Sequence, residues 1–123
     1  MKRKRYISVS VMCSNLMNLG QDIKALEDNG ADMLHIDVMD AHFVPNLTFG
    51  PDFIKAMQAV TTMPVDVHLM VEDPELIMNK FTVRKGDIVS PHIEVKKDYR
   101  ALAGKVHADG GFFGLAVNPE TDV

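Results

Sequence analysis

Tryptophan is absent from these 123 residues, cysteine occurs once, and only 7% of the side chains are aromatic. The lone Cys13 has no partner within the chain, so a disulfide framework is excluded and a reducing, cytoplasmic setting is expected. No uninterrupted apolar run approaches the roughly 20 residues of a membrane span. Positive charge is also short: 13 Lys and Arg stand against 17 Asp and Glu, a net charge of -4, which argues against a protein that tracks a phosphate backbone. The one basic cluster, Lys2 to Arg5, reads as a solvated tail because no apolar segment follows it to make an export signal. Pro/Gly/Ser-rich linkers and low-complexity tracts are missing too, so residues 1–123 are expected to form one domain. What the chain does have is 46% hydrophobic residues, enough to build a core without metal or disulfide staples.

Those hydrophobic residues alternate between two periods. A β-branched run at 6–11 precedes Leu16, Leu19, Ile23 and Leu26 at helical spacing, with Asn29 and Gly30 as the stop. Residues 33–38 read as a second strand, and Pro51 opens a second helix carrying Phe53, Ile54, Met57 and Val60. A third strand is expected at 65–70, and a third helix from Asp73-Pro74 through Phe81, closed by Lys85-Gly86. A fourth strand at 87–90, a fourth helix at 98–107 and a fifth strand at 112–117 complete the series. Strand starts near 6, 33, 65, 87 and 112 predict consecutive βαβ units and a parallel α/β sheet. The period is that of a (β/α)8 TIM-type barrel, which needs about 250 residues, so the chain is expected to hold roughly the first four and a half units.

Side chains two apart on a strand share a face, so His35 with Asp37, and Asp66 with His68, form two same-face polar pairs near the carboxyl ends of neighbouring strands. Buried titratable groups there are costly unless paired or metal-bound. Two imidazoles and a carboxylate suit a divalent ion such as zinc, iron or manganese, and the alternative is a set of hydrogen-bonded interior fillers. A bound ion would sit about 2.0 to 2.2 Å from its nitrogen and oxygen ligands.

The stretch from His35 to Pro51, His-Ile-Asp-Val-Met-Asp-Ala-His-Phe-Val-Pro-Asn-Leu-Thr-Phe-Gly-Pro, resembles the signature of the ribulose-phosphate 3-epimerase family. Asp66-Val-His68-Leu-Met70-Val resembles its second block, and Ile7 to Ser10, His92-Ile-Glu94 and Gly114 to Pro119 match in order and spacing. The resemblance implies a barrel enzyme with one divalent metal that inverts carbon 3 of a phosphorylated ketose, such as ribulose 5-phosphate, through an enediolate. The Val-Met-Cys13 run is similar to the branch acting on allulose 6-phosphate. By the same resemblance His35, Asp37 and His68 would be metal ligands, Asp37 one of two acid/base carboxylates, Ser10 and His68 substrate contacts, and Met39 and Met70 side chains packed near the intermediate. Asp66 is expected to orient a ligand histidine, and His92 and Glu94 to support by hydrogen bonding.

Departures from the family pattern are Val9 for Pro, Asn15 for Asp, and Ala41 for a Gly that can take a positive φ, at a cost of order 1 kcal/mol. The family's second acid/base aspartate and its phosphate-binding glycines have no counterpart, and Asp109-Gly110-Gly111 reads as a turn. A non-catalytic metal-binding half-barrel is the competing expectation. A phosphosugar decarboxylase is disfavoured, because His35-Ile36-Asp37 stands where such relatives use Asp-x-Lys. An uncovered fifth strand leads us to expect a homo-oligomer.

Overall fold

The computed structural model describes residues 4–122. The reading of the basic tail therefore falls in part outside the described residues; within them, Lys4 lies over the Tyr6 ring at 4.7 Å. Five strands, β1 (Ser8–Ser10), β2 (Met33–Met39), β3 (Val65–Met70), β4 (Ile88–Pro91) and β5 (Phe112–Phe113), form one sheet. They pair in parallel and in sequence order. Among the described residues four α-helices intervene: α1 (Leu19–Asp28), α2 (Pro51–Val60), α3 (Pro74–Met78) and α4 (Arg100–Ala108).

Alternation decides which face each strand buries. On β2, Leu34, Ile36 and Val38 are at most 2% exposed, and on β3 Val65, Val67 and Leu69 are fully buried. They pack in one cluster with Ile23 of α1, Ile54 and Met57 of α2, Met78 of α3, and Leu102 and Val106 of α4. Burying each such side chain stabilises the fold by about 1.5–3 kcal/mol. All four helices thus cover a single face. A doubly wound sheet reverses its strand order and is covered on both faces, whereas strands in sequence order with helices on one side form an arc of a (β/α)8 barrel. The opposite face of β2 and β3, the concave one, carries His35, Asp37 and Met39 beside Asp66, His68 and Met70.

Several boundaries differ from those expected. β1 begins at Ser8 because its pairing with β2 starts at Met33, and residues 11–13 turn into a short 3-10 helix instead of continuing the strand. Leu16 belongs to a second 3-10 turn, capped by the Asn15 side chain, and is 51% exposed, so α1 starts only at Leu19. The third helix stops at Met78, long before Lys85-Gly86, and Phe81 reaches the core from the loop that follows. β4 is shifted one residue on from 87–90, and α4 begins two residues later than expected. β5 is two residues long instead of six, although Gly114 N–H still donates to Val89 O and Ala116 N–H to Pro91 O. Gly114 interrupts the regular strand where it passes Ser90: a Cβ there would lie 2.7 Å from the Ser90 hydroxyl oxygen. Asp109 and Gly110 form the turn read from the sequence, with Gly110 at φ +81°.

Candidate metal and proton-transfer site

The register of β2 and β3 sets His35 beside Asp66, Asp37 beside His68 and Met39 beside Met70. Three rows of same-face side chains therefore climb toward the carboxyl end of the sheet. His35, Asp37 and His68 place one ligand atom each within 4.8 Å of one another, and all three are half-buried. The two rings meet at the same atom: His35 Nε2 and His68 Nδ1 each lie 3.1 Å from Asp37 Oδ1. Ser10, paired with His35 from β1, brings its hydroxyl to 3.5 Å from Asp37 Oδ2.

Asp66 stands beside that cluster and is tied to it through one oxygen. Its Oδ2 accepts from His35 Nδ1 at 2.8 Å and from the Ser8 hydroxyl at 2.9 Å. Burial pushes this carboxyl up, but the bonds from His35 and Ser8 outweigh it and hold it below the usual carboxylate range. The same bond to Asp66, opposed by burial, raises the pKa of His35. Burial lowers that of His68 against the pull of its bond to Asp37, and the neighbouring histidines act in the same direction as burial.

With its Nδ1 proton committed to Asp66, neutral His35 turns an Nε2 lone pair toward the Asp37 carboxylate, which is itself an acceptor. Two acceptors at 3.1 Å repel unless a positive charge stands between them. A proton on His35, whose pKa is raised chiefly by Asp66 and to a smaller extent by Asp37, is one way to supply that charge, and a divalent cation with nitrogen and oxygen ligands is the other. The donor set thus fits a metal on the structure's own geometry.

The loop after β2 is tied back to the strand. Thr48 Oγ1 donates to the Asp37 carbonyl at 2.6 Å and accepts from Met39 N–H at 3.0 Å, so it grips the backbone that carries the carboxylate. Asp40 accepts from the backbone N–H groups of His42, Phe43 and Glu72. Ala41 sits at φ +61°, the left-handed conformation expected at this position. Beyond β4, His92 Nε2 lies 2.8 Å from His68 Nε2, and His92 Nδ1 lies 3.0 Å from Glu94 Oε2.

Every site residue read from the sequence thus shares one face, and Met39 and Met70 stand side by side above the cluster. Ser8 and Thr48 also bond into the cluster and the backbone that carries it, and sequence reasoning gave neither a part. For Ser8 a signal existed: it stands two residues before Ser10, the same spacing that singled out His35 with Asp37. A cavity of about 340 Å³ lies between β1 and α1, and Ser10 alone of the site residues lines it. Among the described residues no helix is long and apolar enough to cross a membrane.

Comparison with known proteins adds to this geometry. A model of the ribulose-phosphate 3 epimerase family matches residues 6–123. Ribulose-phosphate 3-epimerase of Bacillus subtilis (strain 168) is 39% identical over 117 residues, covering 95% of this chain and 54% of the relative. Ribulose-phosphate 3-epimerase of Chlamydia pneumoniae is 38% identical over 125 residues, covering 100% of this chain and 55% of the relative. The chloroplastic ribulose-5-phosphate-3-epimerase of Arabidopsis thaliana is 38% identical over 117 residues, covering 94% and 42%. The chain spans about half the length of the curated relatives it matches.

Proposed function

The chain belongs to the ribulose-phosphate 3-epimerase family, and on that premise we propose that it carries one half of the chemistry of a ketose-phosphate 3-epimerase. Its substrate would be D-ribulose 5-phosphate or a close analogue such as allulose 6-phosphate. The observation that carries the reading is the convergence of His35 Nε2 and His68 Nδ1 on one oxygen of Asp37. These three residues would hold one divalent ion, zinc, iron or manganese. Bound there, the ion supplies the positive charge that stabilises the oxygens of an enediolate.

The two oxygens of Asp37 divide the work. Oδ1 is occupied by the histidines, while Oδ2 faces only the Ser10 hydroxyl at 3.5 Å, so Oδ2 is the oxygen left to take a proton from carbon 3. Ser10 is placed to bind a substrate hydroxyl beside it. Thr48 fixes the backbone of Asp37, and Met39 and Met70, side by side in the register, would pack near the intermediate. Inversion needs a second group that returns a proton to the opposite face. Asp40 is tied through both oxygens to loop amides, and Asp66 is tied through Oδ2 to His35 and Ser8.

The test is carbon-3 deuterium incorporation from heavy water, run beside a coupled epimerase assay with metal supplied. The 123-residue chain is expected to exchange the proton slowly, with net epimerisation at least about 100-fold below a full-length relative. Asp37→Asn is expected to abolish the exchange without unfolding the chain. Exchange that survives this substitution would remove Asp37 from the mechanism.

A second reading, self-association, rests on the sheet edges. Among the described residues β1 and β5 each pair with one neighbour, and Tyr6, Ile7, Phe112 and Leu115 beside them are exposed. A dimer or larger species is expected in sedimentation at micromolar concentration, and a monomer throughout that range would refute it.

A further inference from the structure

We propose that the Thr48 hydroxyl stands in for a strand beside the end of β2, and that this makes Thr48 the positioning residue for the Asp37 carboxylate. The consequence for metal rests on the reading of the site given above; the placement of Asp37 rests on backbone geometry alone.

β2 outruns its neighbour. β1 pairs with it only as far as Ser10 opposite His35, after which Val11–Cys13 turn away as a 3-10 helix, whereas β2 runs on to Met39. Backbone groups of every second residue on a strand point to the same edge. Leu34 N–H donates to Pro64 O on the β3 side and Met33 N–H to Ile7 O on the β1 side, so the backbone groups of Asp37 and Met39 also face β1. Among the described residues no strand lies there to meet them. Both residues are half-buried, and a buried amide or carbonyl without a partner costs about as much as a lost hydrogen bond.

Thr48 supplies the partners. Its Oγ1 accepts from Met39 N–H at 3.0 Å and donates to the Asp37 carbonyl at 2.6 Å, and its own N–H donates to Met39 O at 3.3 Å. No protonation state enters these directions: an amide N–H only donates and a carbonyl only accepts, so the hydroxyl proton has one place to go. The carbonyl of one residue and the amide two further on are the pair that a single residue of a parallel neighbour would bridge. One hydroxyl does this here.

The threonine is itself held. Asp40 and Leu47 form an antiparallel bridge and Ala41 N–H donates to Asn46 O at 2.9 Å, so the loop doubles back along the end of β2. Next to Thr48, Phe49 stacks on Phe53 of α2 with ring centroids 3.9 Å apart and packs against the core. Branching at Cβ restricts χ1 of Thr48, so its hydroxyl is presented on a stiff arm. The side chain that leaves the gripped backbone meets His35 Nε2 and His68 Nδ1, each at 3.1 Å, through one oxygen. A displacement of about 1 Å at such a group can cost on the order of 100-fold in rate.

Two substitutions separate the hydroxyl from the shape of the side chain. Thr48→Val keeps the shape and removes the hydroxyl; Thr48→Ser keeps the hydroxyl. In the metal-free 123-residue chain, NMR hydrogen exchange at Met39 N–H is expected to be about tenfold faster in Thr48→Val and near the parent rate in Thr48→Ser. Three-bond couplings to the Asp37 β protons should report one χ1 rotamer in the parent and in Thr48→Ser, and an average over several in Thr48→Val. A mere loop anchor would move the first readout and leave the second alone. Zinc affinity by calorimetry should fall 10- to 100-fold in Thr48→Val and recover in Thr48→Ser. Thr48→Ala, with the same expectations, replaces Thr48→Val if that variant does not fold. An Asp37 rotamer that stays single without the hydroxyl, or a parent Met39 amide unprotected from exchange, would overturn the assignment. If the rotamer follows the hydroxyl while the parent binds no zinc, the positioning role stands and the metal reading falls.

Discussion

At the amino ends of β3 and β4 a carboxylate is surrounded by fixed donors; toward the carboxyl end of β2 a carboxylate faces two imidazole nitrogens. Asp87 is 1% exposed and receives Val65 N–H at 2.9 Å, Arg84 N–H at 2.8 Å and the Gln58 amide at 3.1 Å. The Arg84 guanidinium lies beside it and also donates to the carbonyls of Gln58, Thr61 and Met63. Every charge there is answered from within the protein. Asp37, by contrast, meets two imidazole nitrogens at 3.1 Å and the Ser10 hydroxyl at 3.5 Å, and among the described residues no Lys or Arg pairs with it. The same residue type is therefore answered by fixed donors below the sheet and set between titratable rings near its top. That division matches the general habit of barrels, stability at the bottom face and catalysis at the top.

Substitutions at the two ends should separate these roles. The largest effect on folding is expected from Asp87→Ala, which strands Arg84, Gln58 and the Val65 N–H together: about 3–5 kcal/mol lost in denaturant unfolding. Protein still folded after that change should bind zinc as the parent does. At the other end, Asp66→Ala should weaken zinc binding by about 10- to 100-fold in calorimetry, because His35 loses the partner that holds its tautomer. Its unfolding midpoint should move far less than that of Asp87→Ala. A reversal of the two outcomes would break the comparison. The smallest effect is expected at the loop leaving β2, where Ala41→Gly should raise stability by about 1 kcal/mol by relieving the left-handed backbone. The denaturant midpoint should rise with an unchanged slope.

How legible all this was in the sequence depended on whether the cause was local. The strands β2 and β3 were read to within a residue because Leu34, Ile36 and Val38, and Val65, Val67 and Leu69, alternate cleanly with polar residues, and the same alternation put His35, Asp37, Asp66 and His68 on one face. Ala41 was legible through its place in the family signature. The length of the third helix was not: Phe81 continues the apolar spacing after the backbone has left the helix, so periodicity overran the true end at Met78. The length of β5 was hidden for a different reason, since the interruption at Gly114 reflects the approach of Ser90 from another strand. The Asp87 network escaped notice because its donors come from residues 58, 65 and 84, which no spacing rule connects.

The central claim is that the chain brings His35, Asp37 and His68 together to hold one divalent cation. Anomalous diffraction at the zinc edge, from crystals of the chain equilibrated with zinc, tests it directly. The account predicts a single strong peak bounded by His35 Nε2, Asp37 Oδ1 and His68 Nδ1, and none at Asp87. Zinc density at Asp87, or its absence between the two histidines at saturating metal, would contradict it.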